Sequence, residues 1–394
     1  MAVWLACALA LSTLPSELET FVRKPDPSFA WHEAAKYDER AELRLTSQTW
    51  QGNVWKHDLV VMNQPDRTVV YNGKSVGTET VILYITGDRV DRADMPYIKT
   101  LAADANMRVA ALFDIPNQPI FEQSEDALIA LTFGKYMETG DPSWPLLFPM
   151  TKAATKAMDA LQKWDPRIGK FIVVGASKRG WTTWLAAATG DKRIKGIAPM
   201  VFDFLNFDAQ LKHQIASWGK YSEMLGDYVA RDQPEAANTP EGKKLAAMVD
   251  PYSYRQKIAV PKLIVLGAND RYWTSDAHRL YAGGLQGRTF YRIVPNVGHD
   301  LGGGAAASAS IGFFARGVAG SLEKGAQKWF DKGVVPKDLI VTWFAQSANR
   351  DFRSKQWGPK GRGPGWYASF EEWLVRSGDV KASFTSPMTV RQVR

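Results

Sequence analysis

The segment Phe171-Ile-Val-Val-Gly-Ala-Ser177-Lys-Arg-Gly-Trp181 predicts a strand that turns sharply into a helix, with a serine on the turn. The apolar run at its start is typical of a strand buried in the middle of a sheet. The small residues that follow let the strand and the helix pass close to each other. Ser177 would be lifted off the sheet edge, where the helix N-terminus favours negative charge on a reacting oxygen.

The pattern around Ser177 departs in one place from Gly-x-Ser-x-Gly, the usual sequence of a nucleophile on such a turn. Gly175 fits the pattern, whereas Arg179 replaces the second glycine and Gly180 follows one position later. The alternative is a serine that caps a helix in an ordinary strand–helix turn.

Two further strand ends carry the partners that a nucleophilic serine needs. Asp270 follows one apolar strand, and His299 lies in the loop after a later one. The order Ser, Asp, His, each just past a strand, is the chain order of α/β-hydrolases. We therefore predict that Ser177 attacks a carbonyl, His299 moves its proton and Asp270 orients the imidazole. Asp203, which also follows a strand, is the rival for the role of the acid.

An oxyanion hole is predicted from two backbone segments near Ser177. The N–H of Lys178, the first residue after the serine, is one donor. The second donor is expected on the turn after an early buried strand, at Gly87 or Asp88.

Three residues beside these motifs are predicted to contact substrate. Arg179 could bind a carboxylate on the substrate, or it could pair with a buried carboxylate beneath the turn. Tyr272 and Trp273 follow the predicted acid in a loop and are expected to form a pocket wall.

Buried strands that alternate with helices predict an α/β fold, with a mostly parallel sheet and helices on both faces. The polar, helix-like stretch between two of the strands predicts a lid over the carboxyl edge of the sheet. Short strands and Gly-rich turns near the C-terminus predict a small β appendage that does not extend the sheet. The predicted units are residues 1–17, a signal segment; 18–335, the hydrolase-like core, with the lid at about 204–257; and 336–394, the appendage.

Composition excludes several classes of protein. Of 394 residues, 45% are hydrophobic and 23% are charged, which is typical of a globular protein. No internal apolar run approaches the roughly 20 residues that a membrane-spanning helix needs. We therefore expect no membrane span in the mature chain. The lone Cys7 and five scattered histidines predict no metal site, and no Gly-x-Gly-x-x-Gly turn points to a cofactor.

The net charge of +8 is concentrated towards the C-terminus. A solvated basic face accounts for it, and attraction to an anionic surface or an acidic substrate is the alternative. Because the sequence contains no RNA- or DNA-binding motif, we predict no nucleic-acid partner. The expected partner is a small-molecule or peptide substrate, and the oligomeric state stays open.

The apolar stretch Ala2–Leu14 has the length of a signal peptide, although no basic residue precedes it. The alternative is an apolar first helix that packs on the body of the protein. We predict export, hence a periplasmic or secreted location.

Five segments together resemble the PhoPQ-activated pathogenicity-related protein family, over roughly residues 18–390. They are Leu45-Thr-Ser-Gln-Thr-Trp-Gln-Gly-Asn-Val-Trp-Lys-His57, Gly175-Ala-Ser-Lys-Arg-Gly-Trp181, Gly267-Ala-Asn-Asp-Arg-Tyr-Trp273, Pro295-Asn-Val-Gly-His299 and Ala348-Asn-Arg-Asp-Phe-Arg353. The resemblance implies an α/β-hydrolase-like core, an extracytoplasmic location and a serine-hydrolase site at the three residues of the predicted triad.

The function predicted is that of an exported serine hydrolase that cleaves an ester or an amide bond, with a slight preference for peptide or amide substrates by analogy of fold. A peptidase that holds the substrate's amine would need acidic residues, for which Glu122, Glu125 and Asp126 are available. The alternative is a non-catalytic signalling or binding protein on a hydrolase scaffold.

Overall fold

The apolar runs of the sequence form the central strands of one large sheet in the computed structural model, which describes residues 15–62, 69–71, 74–76, 79–89, 95–336, 339–361 and 364–393. Residues 1–14, most of the predicted signal segment, lie outside the described residues. The strands are β1 (Ala30–Lys36), β2 (Arg40–Trp50), β3 (Asn53–Met62), β4 (Val69–Tyr71), β5 (Lys74–Val76), β6 (Thr80–Ile85), β7 (Arg108–Leu112), β8 (Lys170–Ala176), β9 (Ile194–Met200), β10 (Lys262–Gly267), β11 (Thr289–Val294), β12 (Leu339–Ser347), β13 (Gly365–Ser377), β14 (Val380–Thr385) and β15 (Thr389–Val393).

Helices fill the connections between the parallel strands. None of the helices in the described part of the chain combines the length and the apolar character needed to cross a bilayer. The helices are α1 (Glu17–Arg23), α2 (Met95–Ala105), α3 (Glu125–Thr139), α4 (Leu147–Trp164), α5 (Lys178–Ala188), α6 (Phe207–Trp218), α7 (Gly226–Val229), α8 (Gln233–Ala236), α9 (Pro240–Val249), α10 (Ala305–Ala319) and α11 (Lys324–Lys332).

The order of the main sheet is β1-β2-β3-β7-β6-β8-β9-β10-β11-β14-β13-β12, and β15 pairs with β13. The six strands from β7 to β11 in this order run parallel, and antiparallel strands flank them on both sides. Parallel strands direct their carboxyl ends to one edge, which is where this class of fold places its sites. The predicted mostly parallel α/β fold is confirmed.

Helices cover both faces of the sheet because the central strands are apolar on both. Along β6, Val81 and Leu83 pack into one core cluster, and Ile82 and Tyr84 pack into the other. This alternation is the two-residue period of a strand. The first cluster includes residues of α4 and α5, and the second includes residues of α2, α10 and α11. The sheet edge that holds the site is therefore supported from both sides.

The C-terminal strands are present as predicted, but they extend the main sheet, and the expectation of a separate appendage was wrong in this respect. Tyr291 on β11 pairs with Thr385 on β14. A buried ion pair of 2.8 Å joins Arg292 to Glu372 on β13. Phe384 packs against Phe290. These long-range contacts attach the tail to the last parallel strand.

His57, in the middle of β3, is buried and hydrogen-bonded, and it gives the fold a dependence on pH. Its ring lies 2.9 Å from Ser47 Oγ and 3.1 Å from the carbonyl oxygen of Phe113. Burial lowers the pKa of His57 to about 4 from 6.5, although backbone carbonyls favour the charged form. The unfolded chain therefore binds more protons between these values, and stability falls as the pH is lowered through them.

We expect this histidine to contribute a loss of about 3 kcal/mol in the free energy of unfolding between pH 6.5 and pH 4. The measurement is urea unfolding of the wild type and His57→Gln across this pH range. The variant should start from a lower stability but should show a shallower dependence on pH. Equal slopes for the two proteins would contradict the assignment.

Candidate active site

Ser177 lies on a strained turn between β8 and α5. Its backbone angles are φ 57° and ψ −122°, outside the region that residues with a side chain usually adopt. The Ser177 N–H donates to the carbonyl of Met200, and the Ser177 carbonyl accepts from the N–H of Trp181, so both sides of the turn are held. Such strain persists where the surrounding structure fixes it, and it is typical of functional positions.

Gly175 and Gly180 lie where the backbone around this turn is closely packed. They explain why Arg179 can replace the second glycine of Gly-x-Ser-x-Gly. A Cβ at Gly175 would lie 2.6 Å from the carbonyl oxygen of Arg179, and a Cβ at Gly180 would lie 2.6 Å from that of Met200. Both positions therefore require glycine. The side chain of Arg179 instead extends to the turn after β6, where a Cβ at Gly87 would overlap with its guanidinium.

Ser177, His299 and Asp270 form one continuous hydrogen-bonded chain. His299 Nε2 lies 2.8 Å from Ser177 Oγ, and His299 Nδ1 lies 2.8 Å from Asp270 Oδ2. The other carboxylate oxygen of Asp270 accepts from the N–H of Tyr272 at 2.9 Å. The Asp270 side chain is 5% exposed and that of His299 is 25% exposed. The acid is thus shielded while the imidazole remains open to a substrate.

Asp203 lies elsewhere and has other partners. Its carboxylate accepts from the Tyr281 hydroxyl at 2.6 Å and faces His278 Nδ1 at 3.8 Å. Because the His299 ring already has Asp270 on Nδ1, the geometry favours Asp270 over Asp203 as the orienting acid.

One of the two predicted oxyanion segments, the turn after β6, borders the same cavity as Ser177 and His299. Gly87 and Asp88 line this polar cavity, which has a volume of about 650 Å³. The Asp88 N–H already donates to Thr86 Oγ1 at 3.2 Å. We therefore keep Gly87 as the second predicted donor, beside the N–H of Lys178 at the start of α5.

Arg179 has a protein carboxylate as its partner. Its guanidinium binds both carboxylate oxygens of Glu125, at 2.9 and 2.6 Å, and donates through Nε to the carbonyl of Ile115. Burial alone would raise the pKa of Glu125, but the hydrogen bonds of Arg179 and the charges of Arg179 and Lys178 lower it to about 2. Arg179 therefore pairs with a protein carboxylate, as in the structural alternative, but Glu125 is 41% exposed and both side chains line the cavity that contains Ser177 and His299.

The side chain of Lys178 belongs to a second network beside the serine. Its Nζ lies 2.9 Å from Asp126 Oδ2 and 3.1 Å from Glu125 Oε2. The hydroxyls of Tyr228 and Tyr272 also donate to Asp126, at 2.9 and 3.2 Å. Burial and the charge of Asp126 raise the pKa of both tyrosines, which keeps their hydroxyls protonated. Sequence reasoning considered Glu125 and Asp126 only as ligands for a substrate amine and missed this pairing.

Tyr272 and Trp273, the predicted pocket-wall residues, lie beside Ser177 and His299. The Tyr272 ring packs against the His299 ring, with centroids 4.2 Å apart. Trp273 packs against Phe204, and its Nε1 donates to the carbonyl of Val201 at 3.3 Å. Both residues line an apolar cavity of about 390 Å³ that opens onto Ser177.

A loop between β12 and β13 hydrogen-bonds to the segments that carry Asp270 and His299. The sequence alone did not predict these hydrogen bonds. Asn269, next to Asp270, donates from Nδ2 to the carbonyl of Lys355 at 2.7 Å. Asn296, three residues before His299, accepts from the N–H of Trp357 at 2.7 Å and donates to its carbonyl at 3.1 Å. The segment Ala348–Arg353, one of the five that resemble the family, was the sequence feature that could have indicated this contact.

Replacement of Arg179 with methionine should lower the free energy of unfolding by about 2 kcal/mol, because the Ile115 carbonyl loses its side-chain donor and Glu125, which is 41% exposed and still pairs with Lys178, loses its main one. Urea unfolding measures this change. The matched control is Arg167→Met, which removes a guanidinium that is 67% exposed from an ion pair with Asp165. We expect the control to cost about 0–1 kcal/mol. Equal losses in the two variants would contradict a supporting role for Arg179.

No group of three or more metal-ligating His, Cys, Asp or Glu side chains occurs within the described ranges. The side chains of Ser177 and His299 can themselves supply nucleophilic and acid–base chemistry.

Solved structures with the same architecture include two esterases. Acetyl xylan esterase 1 from a Thermoanaerobacterium species has a TM-score of 0.50 and 12% identity, and the match covers 73% of this chain and 89% of that one. An acetyl xylan esterase from a Paenibacillus species has a TM-score of 0.50 and 15% identity, with coverage of 73% and 90%. At these identities the likeness shows the α/β-hydrolase fold alone.

Sequence comparison gives closer relationships. Autocrine proliferation repressor protein A from Dictyostelium discoideum is 33% identical over 328 residues, which are 76% of this chain and 64% of that protein. The chain thus spans less than two thirds of the length of that relative. The model of the PhoPQ-activated pathogenicity-related proteins matches residues 18–353. The chain therefore belongs to the PhoPQ-activated pathogenicity-related protein family.

Proposed function

We propose that the protein is a serine hydrolase that cleaves an ester or an amide bond through an acyl-enzyme. The observation that carries this proposal is the hydrogen-bonded chain from Ser177 through His299 to Asp270, with both links at 2.8 Å. Nucleophile, base and orienting acid are within reach of one another, as this chemistry requires.

In the first half-reaction, Ser177 Oγ attacks the carbonyl carbon while its proton passes to His299 Nε2. The tetrahedral oxyanion accepts hydrogen bonds from the N–H of Lys178 and, we propose, from that of Gly87. His299 then returns the proton to the leaving group as the carbonyl–leaving-group bond breaks. Water, deprotonated by His299, attacks the acyl-enzyme, and the acid product leaves as Ser177 regains its proton.

The helical segment between β9 and β10 is proposed to act as a lid over this site. It contains α6 to α9, and several of its residues line the apolar cavity beside Ser177. Asp250 holds the start of α6, since its carboxylate accepts from the N–H groups of Asn206 and Phe207 at 3.1 and 2.9 Å. A lid that is fixed at this end would position the cavity wall and exclude water from the reaction.

The choice between esters and amides depends on substrate recognition. Esterases and peptidases share this fold, and analogy of fold is the only basis for the slight preference for amides in the sequence analysis. A requirement for a free amine is disfavoured, because Glu125 and Asp126 already pair with Arg179 and Lys178. The third acidic candidate, Glu122, is exposed and lines neither of the two cavities at Ser177. We therefore propose that substrates with a blocked amine are accepted. Export to an extracytoplasmic compartment remains part of the proposal, on the basis of the apolar stretch Ala2–Leu14 and the family.

A non-catalytic signalling protein is the second candidate. The name of the Dictyostelium relative, autocrine proliferation repressor protein A, favours a regulatory role. A regulatory role without catalysis would leave the serine unreactive, whereas a regulatory hydrolase would keep it reactive. The two candidates therefore differ in the chemistry of Ser177.

The test is turnover of four substrates by the wild type and by Ser177→Ala. They are a p-nitrophenyl ester, the matching p-nitroanilide, a peptidyl p-nitroanilide with a free amine and the same peptide with an N-acetyl block. We expect release of p-nitrophenol or p-nitroaniline that requires Ser177, with equal use of blocked and free peptide. No turnover of any substrate above the rate of Ser177→Ala would contradict the proposal, and a strict need for the free amine would contradict the assignment of the two carboxylates.

A further inference from the structure

Two cavities of opposite character meet at Ser177. The cavity on the Gly87 side is polar and includes Glu125 and His299 in its wall. The cavity under the lid is apolar and is lined largely by aromatic and aliphatic side chains. Its volume of about 390 Å³ falls within the roughly 300–1,000 Å³ of ligand pockets. A substrate bound at Ser177 would therefore present two different groups to the two sides.

The position of His299 decides which group enters which cavity. The leaving group takes its proton from His299 Nε2, so it must lie on the side where this imidazole is exposed. His299 lines the polar cavity together with the proposed oxyanion donor Gly87. The acyl group, on the opposite side of the attacked carbon, is then directed to the apolar cavity.

The walls of the apolar cavity are held in place before any substrate binds. Trp181 stacks on Phe202, with ring centroids 4.9 Å apart, and Trp273 packs on Phe204 at 5.2 Å. The indole N–H groups of both tryptophans donate to backbone carbonyls, Trp181 to that of Val249 at 2.6 Å. Rigid aromatic faces favour a flat or bulky apolar group.

Two charged groups in this wall, Asp126 and Lys178, are already paired with each other. Asp126 lines the cavity, but its carboxylate accepts from Lys178 and from the hydroxyls of Tyr228 and Tyr272. A second charge on the substrate's acyl group would therefore find no vacant partner at Asp126 or Lys178. The charges beside Ser177 therefore do not favour a charged acyl group, and the other charged residues of the lining, among them Lys243 and Arg255, belong to the lid segment.

We infer that the acyl side of the substrate carries an aromatic or bulky apolar group that fills the cavity beneath the lid, as in an arylacetyl ester or a peptide with an aromatic residue before the cleaved bond. This inference rests on the proposed hydrolase function. It adds the class of acyl group, which the triad alone does not determine.

The experiment compares p-nitrophenyl acetate with p-nitrophenyl phenylacetate, which share a leaving group. For the wild type, we expect kcat/KM to be about tenfold or more higher for phenylacetate, after correction for the uncatalysed rates. Leu211 on α6 lines the cavity, and Leu211→Trp should reduce this ratio at least about fivefold by occupying the space. Ile215, one helical turn further on and 42% exposed, supplies the control: Ile215→Trp should leave the ratio unchanged.

Failure of the inference differs from failure of the proposed function. Ser177-dependent turnover of acetate, with no preference for phenylacetate in the wild type, would overturn the inference and leave the hydrolase intact. A ratio that Leu211→Trp and Ile215→Trp change equally would also overturn it. Absence of Ser177-dependent turnover with both esters would remove the proposed function, and the inference with it. The wild-type comparison stands even if the Leu211 variant does not fold.

Discussion

Replacement of Ser177 with alanine is expected to lower kcat/KM by a factor of about 10⁴ or more. The loss is large because no other group in the hydrogen-bonded chain can form the acyl-enzyme. His299→Ala should have an effect of similar size, since the base that activates the serine is removed. Rates with p-nitrophenyl phenylacetate, with folding checked by circular dichroism, provide the measurement.

The double variant gives the sharper form of this prediction. Because Ser177 and His299 act as one unit, the variant that lacks both should be about as slow as either single variant. A double variant whose loss equals the product of the two single losses would show that the residues act independently. That result would contradict the chain of contacts at 2.8 Å as the reacting unit.

Asp270→Asn is expected to reduce kcat by about 10⁴, whereas Asp203→Asn should change kcat by less than about tenfold. An asparagine amide at position 270 could donate to His299 Nδ1 and would stabilise the wrong tautomer of the imidazole. Asp203 is hydrogen-bonded to Tyr281 and does not contact His299, so its replacement should mainly affect stability. The measurements are kcat and thermal unfolding for both variants.

The opposite order of effects on kcat would contradict the assignment of the acid. Both side chains are buried, at 5% exposure for Asp270 and 4% for Asp203, so burial alone does not favour one of them. The two variants therefore make the same chemical change at buried positions. They differ in that only Asp270 contacts the His299 imidazole.

The centre of the site could be predicted because strand ends in a parallel sheet meet at one edge. The apolar runs of β6, β8 and β10 marked the strands, and Ser177 and Asp270 followed two of them directly. The order of the three residues along the chain then suggested their roles. The local sequence was therefore sufficient to predict the fold class and the positions of Ser177, Asp270 and His299 at the strand ends.

Features that depend on contacts between distant segments could not be predicted in the same way. The pairing of β14 with β11 depends on register and on side chains such as Phe384 that meet only in the folded chain. The guanidinium of Arg179 fits because Gly87, far away in sequence, leaves the space. The cavity beneath the lid combines residues of several elements, and no local motif describes its shape.

The most direct test of the account is labelling of the purified wild type with a fluorophosphonate probe, beside Ser177→Ala and Asp203→Asn. A serine activated by His299 displaces fluoride and forms a phosphonyl ester, whereas an ordinary serine hydroxyl does not. We predict stoichiometric labelling of the wild type and of Asp203→Asn, and none of Ser177→Ala. A folded wild-type protein that stays unlabelled would contradict the account and would favour the non-catalytic signalling protein.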